Sequence, residues 1–228
     1  MSEKSEKVDF DRFAESYENL LEDQLGFYNG SRDYFSEYKI EIIREQTPED
    51  APRILDFGTG IGLTLPFVRE RFPRSEIHAS DISEASLQRV RQRFPDVKVI
   101  PDAELGAERY DLILVVTVIH HVAPELRPAL FKRLEAMLRP GGRIWVFEHN
   151  PYNPVTQRMV STCPFDEDAV LISAGALSSL ISQTTSLSVS RRGYTLFFPQ
   201  ALSALRPIEP FLRWLPLGGQ YYVVAQRS

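Results

Sequence analysis

The chain has 228 residues, 43% of them hydrophobic and 25% charged, which suits one α/β domain with a full core and is short for two. A formal net charge of −5 with no basic run argues against a dedicated nucleic-acid substrate, because such affinity rests largely on phosphate neutralisation. Cys163 is the single cysteine, which excludes an intrachain disulfide and a multi-cysteine zinc site. The polar start, Met1 to Lys7, lacks the apolar core of a signal peptide, and no apolar stretch approaches the ~20 residues of a membrane-spanning helix. A cytoplasmic location is the expectation.

Residues 2–7 read as a tail. From 10 to 25, apolar side chains at Phe10, Phe13, Tyr17, Leu20, Leu21 and Leu25 step by three and four, which predicts an amphipathic helix. Gly26 and Gly30 interrupt it, and a second helix is predicted over about 32–45, with Tyr34, Phe35, Tyr38 and Ile42 on one face. The run 47–52, bracketed by Pro48 and Pro52, breaks the pattern. A short apolar run, Ile54 and Leu55, then ends in Asp56, and Gly58, Gly60 and Gly62 follow at every second position ahead of a helix over 63–72. Strand, glycine-rich turn and helix open a βαβ nucleotide site, where glycines let the backbone approach a ligand. A dinucleotide fingerprint would need a third-spaced final glycine, and Leu63 stands in that place.

The alternation continues. A strand over 76–80 ends at Asp81, and Ser83 is a plausible N-cap for a helix over 84–94. A third strand, 97–100, precedes Asp102 and Ala103. Residues 111–117 are almost continuously aliphatic, as a parallel strand buried on both faces should be. A helix from Pro124 or Glu125 to Leu138 stops at Pro140-Gly141-Gly142, before a fifth strand over 143–148. Pro151 and Pro154 then punctuate a loop, and residues 163–168 read as a loop closing on a helix over 173–182. Strands are predicted at 188–198 and 220–225, with proline-split apolar pieces between them and no internal repeat. Alternating strands and helices argue for an α/β doubly wound sheet, and the strand-rich end, with no room for a helix between the last two strands, for an antiparallel final hairpin.

The order Asp56-x-Gly58-x-Gly60-x-Gly62, then Asp81, then the strand running into His120-His121-Val122, then Leu138-Arg-Pro-Gly-Gly-Arg143, resembles the class I S-adenosylmethionine (SAM)-dependent methyltransferases. The resemblance covers about residues 10–148. It implies a Rossmann-like seven-stranded, mostly parallel sheet with an antiparallel last strand, divided into an N-terminal helical cap (1–50), a SAM-binding core (51–149) and a substrate-side segment (150–228). It also implies SAM as cofactor and S-adenosylhomocysteine as product. Asp56, Gly58, Gly60 and Gly62 would form the cofactor turn, and Asp81 would accept hydrogen bonds from the ribose hydroxyls, with Ile82 on the adenine face. Asp102 and Ala103 would meet the adenine edge, Val116 and Thr117 the methionine part, and Tyr17 and Tyr28 of the cap would line the pocket.

Methyl transfer needs alignment and exclusion of water, and oxygen or carbon nucleophiles usually need a proton removed. Three of the four histidines, His120, His121 and His149, sit at strand ends on the ligand side, and histidine suits that task near neutral pH. His149 is the candidate substrate-facing base or hydrogen-bond donor and His120 the runner-up, with a transition-state role open for Glu148; His78, inside a strand, reads as structural. Asn150-Pro151-Tyr152 carries one proline and follows the fifth strand, so it reads as a look-alike of the nucleic-acid amino-methylating element. No acidic pair stands out as a metal clamp, and no metal is expected. The expected partner is a small-molecule acceptor, lipophilic or aromatic if Tyr194, Phe197, Phe198, Phe211, Trp214, Leu215 and Leu217 line its pocket. Arg206 and Arg213 among Leu202, Leu205, Phe211 and Trp214 also permit a membrane-surface contact. Two rival functions stay open: a SAM-binding interaction protein without turnover, and a nucleotide-dependent oxidoreductase using NAD.

Overall fold

The structure is a computed structural model that describes residues 32–47, 51–106 and 108–228. In chain order its main elements are α1 (Arg32–Gln46), β1 (Arg53–Phe57), α2 (Leu65–Arg71), β2 (Glu76–Ser80), α3 (Glu84–Arg93) and β3 (Lys98–Val99). There follow β4 (Tyr110–Val116), α4 (Arg127–Met137), β5 (Leu138–His149), α5 (Pro154–Ser161), α6 (Ala174–Thr184), β6 (Ser188–Thr195) and β7 (Gln220–Gln226). The seven strands form one sheet in the order β3-β2-β1-β4-β5-β7-β6. Strands β1 to β5 are parallel, and β7 lies antiparallel between β5 and β6. The doubly wound sheet and its inserted antiparallel strand are as the sequence pattern predicts.

Period-two alternation along the central strands supplies both faces of the sheet with apolar side chains. Leu55, Ile113, Val115, Ile144, Val146 and Val223 face Phe131, Leu134 and Met137 of α4 and Leu177 and Ile181 of α6. Ile54, Leu112, Leu114, Trp145, Phe147 and Val224 face Ile40, Ile42 and Ile43 of α1, Val68 of α2 and Val90 of α3. Each such side chain, taken fully from water, contributes on the order of 1.5–3 kcal/mol. That is how α1, with three β-branched isoleucines in four residues, is held as a helix: packing outweighs its modest intrinsic propensity.

Helix α1 matches the second predicted cap helix, while the first, over 10–25, together with Tyr17 and Tyr28, lies outside the described residues. Two segments differ from expectation. Residues 154–161, read as a proline-broken loop, form α5: Asn153 caps it by accepting from the backbone N–H of Val155 and Thr156, and Pro154 occupies the first turn, where its missing N–H costs nothing. The link between β6 and β7 is not a hairpin turn but a 3-10 stretch (Gln200–Ile208) and a short helix (Glu209–Leu212). The buried Glu209 carboxylate accepts from the N–H groups of Leu196, Phe197 and Phe198 and so fixes the chain as it leaves β6.

The chain reverses its direction of sheet growth between β1 and β4. In open α/β sheets ligands sit outside the carboxyl ends of the strands at such a switch point. A cavity of about 640 Å³ lies there, bordered by the strand ends, α1, α5 and the 163–168 loop.

Candidate active site

The turn after β1 is built by two acids. Asp56 is buried, and its Oδ2 accepts from the Thr59 and Thr64 hydroxyls, which clamps the glycine-rich turn onto its own strand. Burial pushes its carboxyl up, against those hydrogen bonds. Asp81, at the end of β2, accepts from the N–H of Gly60 through Oδ2 (2.8 Å) and from the N–H of Ser83 through Oδ1 (2.9 Å). Ser83 in turn caps α3 by accepting from Ser86, as expected.

Three glycines adopt positive φ here, at +72° for Gly58, +53° for Gly60 and +82° for Gly62, but for different spatial reasons. A Cβ on Gly58 would stand 2.3 Å from Val118 Cγ2, and one on Gly62 would stand 2.9 Å from Leu65 and from Phe94. A Cβ on Gly60 would meet nothing within 4 Å, because that glycine faces the cavity. Gly58 and Gly62 let the protein pack on itself, whereas Gly60 keeps a cradle open for a ligand. Ile82 beside it is 73% exposed although it is a large apolar side chain on the cavity rim, which suits a flat apolar ligand surface such as a purine ring. The acid, the open cradle and the apolar platform fit the adenosyl half of SAM.

Other expected cofactor contacts are mixed. Asp102 borders the cavity, but Arg133 of α4 holds both of its carboxylate oxygens at 3.0 Å. Ala103 is exposed and does not border the cavity, because the 3-10 turn Asp102–Glu104 points it away. Val116 and Thr117 do border it, and Thr117 has φ +53°, held by its N–H on the Phe147 carbonyl (2.8 Å). A non-glycine residue in this conformation is uncommon, and it turns the chain sharply at the end of β4.

The cavity also borders a buried polar cluster. Glu148, fully buried at the end of β5, accepts from the N–H of Ile119 (2.6 Å) and pairs with Nδ1 of His120 (2.7 Å). It therefore fixes the 3-10 turn Ile119–His121 that follows β4. Nε2 of His120 lies 3.3 Å from Asp166. Burial disfavours the His120 charge, but the facing Glu148 and Asp166 outweigh it and raise the imidazole well above its ordinary value. Burial likewise opposes ionisation of Glu148, and the His120 charge overrides it and lowers the carboxyl. Nδ1 of His120 is thus engaged by Glu148, while its Nε2 faces Asp166 at the cavity.

His149 is different. It is 8% exposed, borders the cavity, and burial with the neighbouring His120 charge pushes its imidazole down to about 4, so it is neutral at physiological pH. Its Nδ1 lies 3.5 Å from Nε2 of Gln220, and Oε1 of that glutamine is buried without a hydrogen-bond partner among the described residues. Lys39 of α1 also borders the cavity. It is 6% exposed, and burial lowers its ammonium to about 8 against a weaker opposing pull from Glu148.

Lys39, Gln220, Asp166 and Arg133 escape sequence reasoning. Lys39 sits on a helix where a lysine reads as solvated, and nothing in the sequence shows that residues 163–168 fold back on the His120 turn. Conversely, none of Tyr194, Phe197, Phe198, Phe211, Trp214, Leu215 and Leu217 borders this cavity. Phe211 and Trp214 are 77% and 75% exposed. The cations placed among them turn inward: Arg213 pairs with Glu45 at 2.8 Å, and Arg206 stacks on Tyr34 at 3.6 Å, so they tie the β6–β7 link to α1. His78 is buried and bonded to Tyr110 and Glu76, which is a structural role. Among the described residues no helix is long and apolar enough to cross a membrane.

A switch-point cavity with an acid at the end of β2, a glycine cradle at the end of β1 and an antiparallel seventh strand defines the class I methyltransferase fold. Residues 55–144 match the model of a methyltransferase domain family. A trans-aconitate 2-methyltransferase of Acidovorax sp. (strain JS42) is 37% identical over 97 residues, which covers 40% of this chain and 36% of that protein. A malonyl-[acyl-carrier protein] O-methyltransferase of Ilyobacter polytropus is 27% identical over 141 residues, covering 59% of this chain and 48% of that one. The chain thus matches less than half the length of either relative. Among solved structures, a SAM-dependent methyltransferase of Thermotoga maritima superimposes with a TM-score of 0.70 at 21% identity, covering 96% of this chain and 98% of that one.

Proposed function

We propose that the protein transfers the methyl group of SAM to an oxygen of a small anionic metabolite, a carboxylate above all. SAM supplies an electrophilic methyl that is taken by direct displacement, so the protein's work is to bind, orient and exclude water. Asp81, the Gly60 cradle and Ile82 would hold the adenosyl half, with Val116 and Thr117 toward the methionine half.

The observation that carries the acceptor assignment is that Lys39 and His149, both buried, line the same cavity. A base near pH 4 is poorly matched to an alcohol or an amine, since general-base efficiency is greatest when the pKa lies near the working pH. A carboxylate needs no proton removed. His149 then acts as a neutral hydrogen-bonding group beside the reacting oxygen, and the Lys39 ammonium balances the acceptor's charge in a site of low dielectric. The unpartnered Gln220 Oε1 can accept from a hydroxyl or N–H elsewhere on the acceptor. One relative is named for trans-aconitate and another for O-methylation of a malonyl group, which agrees with an acidic acceptor.

The test is incubation with methyl-labelled SAM and a panel of small carboxylic acids, phenols and amines. Label recovered in alkali-labile methyl esters supports the reading. Label entering only phenols or amines contradicts it.

A further inference from the structure

Two adjacent histidines and one aspartate meet at the cavity in an arrangement that the methyl-transfer reading does not need. His120 and His121 come from the turn after β4, and Asp166 from the 3-10 turn Pro164–Asp166. One potential ligand atom from each lies within 4.8 Å of the others, and all three residues border the cavity. We infer that His120, His121 and Asp166 form a binding site for a divalent first-row transition metal ion, open toward the cavity.

Three features of the geometry support this. Nε2 of His120 and Nε2 of His121 stand 3.3 and 3.4 Å from the same atom, Oδ1 of Asp166. Those distances are long for a charge-assisted hydrogen bond, which is about 2.7–2.9 Å. They match donors on adjacent positions of one ion, since metal–ligand bonds of about 2.0–2.2 Å place neighbouring donors roughly 3.0–3.5 Å apart.

The second feature lies behind the imidazoles. Nδ1 of His120 is held by Glu148 at 2.7 Å, and Nδ1 of His121 by Asp168 at 3.2 Å. A carboxylate behind each imidazole, fixing which nitrogen faces inward, is the usual outer arrangement of metal-binding histidines. Glu148 is itself anchored by the N–H of Ile119 at 2.6 Å.

The third is charge and crowding. Three carboxylates, Glu148, Asp166 and Asp168, surround two imidazoles whose ring centres are only 4.0 Å apart. A divalent ion supplies the compensating charge without requiring both crowded rings to be protonated. Two imidazoles and one carboxylate suit zinc, iron(II), cobalt or nickel better than magnesium or calcium, which prefer oxygen donors. On the methyl-transfer reading proposed above, the remaining coordination positions would take an oxygen of the acceptor. Metal binding itself does not depend on that reading.

The experiment uses the full chain, stripped with a chelator and titrated with cobalt(II) while visible absorption is followed. Zinc competition and a parallel SAM titration complete it. One cobalt per chain with a ligand-field band, displaced by zinc, is expected. Asp166→Asn and, independently, His121→Gln should each weaken uptake at least 100-fold, and Asp168→Asn about 10- to 100-fold, with SAM affinity kept in all three. Wild-type protein that takes up no cobalt, or folded Asp166→Asn and His121→Gln variants that bind it as well as wild type, overturns the inference. Loss of SAM binding by the wild type would instead contradict the cofactor assignment, which keeps the two failures distinct.

Discussion

Replacing Lys39 by methionine should stabilise the fold while impairing acceptor binding. The ammonium is 6% exposed, and burial lowers it from 10.5 to about 8. At 1.36 kcal/mol per unit, keeping that charge buried costs the native state about 3 kcal/mol near pH 7. The native state releases its proton near pH 8 and the unfolded chain near 10.5, so between those values the unfolded state binds more protons and wild-type stability rises with pH. Below pH 8 the cost is present in full; above 10.5 it has vanished. Methionine nearly matches lysine in length and adds no charge, so Lys39→Met should gain about 3 kcal/mol at pH 7, and that gain should shrink as pH climbs from 8 to 10.5. Urea unfolding of both proteins at pH 7, 8.5 and 10 reads the difference directly. Acceptor KM should rise roughly 10- to 100-fold, the size of one lost charge-assisted hydrogen bond, with SAM affinity unchanged. A variant no more stable than wild type at pH 7, or a difference that does not vary with pH, would refute the assignment of Lys39 as a buried cation held for a ligand.

The remaining predictions concern the two halves of the cavity. Asp81→Ala should weaken SAM binding by about 3 kcal/mol, on the order of 100-fold by calorimetry, with a near-native unfolding midpoint; unchanged affinity removes Asp81 from the site. His149→Ala should lower turnover at saturating acceptor and leave the Kd for SAM within about twofold, and wild-type turnover would show that the imidazole does not face the reacting group. Gly58→Ala and Gly60→Ala should separate. The first drives a Cβ to 2.3 Å from Val118 and should cost roughly 3 kcal/mol of stability. The second meets no protein atom and should cost only about 1–2 kcal/mol for its left-handed backbone, while its methyl intrudes on SAM and reduces affinity. Equal stability losses in the two would erase the distinction between packing and ligand glycines.

The fold was largely legible because its signals are local. The aliphatic run that became β4, the Ser83 cap and the glycine-rich turn each report their conformation within a few residues. The same locality explains the misreading of residues 154–161, where a proline read as a breaker was a helix's first residue under an Asn153 cap. The cavity's first rim was partly legible, since the places of Asp81 and Gly60 at the strand ends follow from strand-end logic. The acceptor half was not, because its chemistry arises between distant segments. His120 reads in the sequence as a strand-end histidine, and only the fold shows that it faces Asp166, 46 positions later in the chain. The aromatic tail misled for a related reason: composition shows how many apolar side chains the 196–219 link carries but not which way they face, and Phe211 and Trp214 face solvent.

The measurement closest to the central claim is a parallel calorimetric titration of the protein with SAM, S-adenosylhomocysteine and NAD. The Asp81 carboxylate, the Gly60 cradle and the Ile82 platform predict micromolar binding of both adenosyl ligands and none of NAD. Binding of NAD alone, or of no ligand at all, would contradict the account.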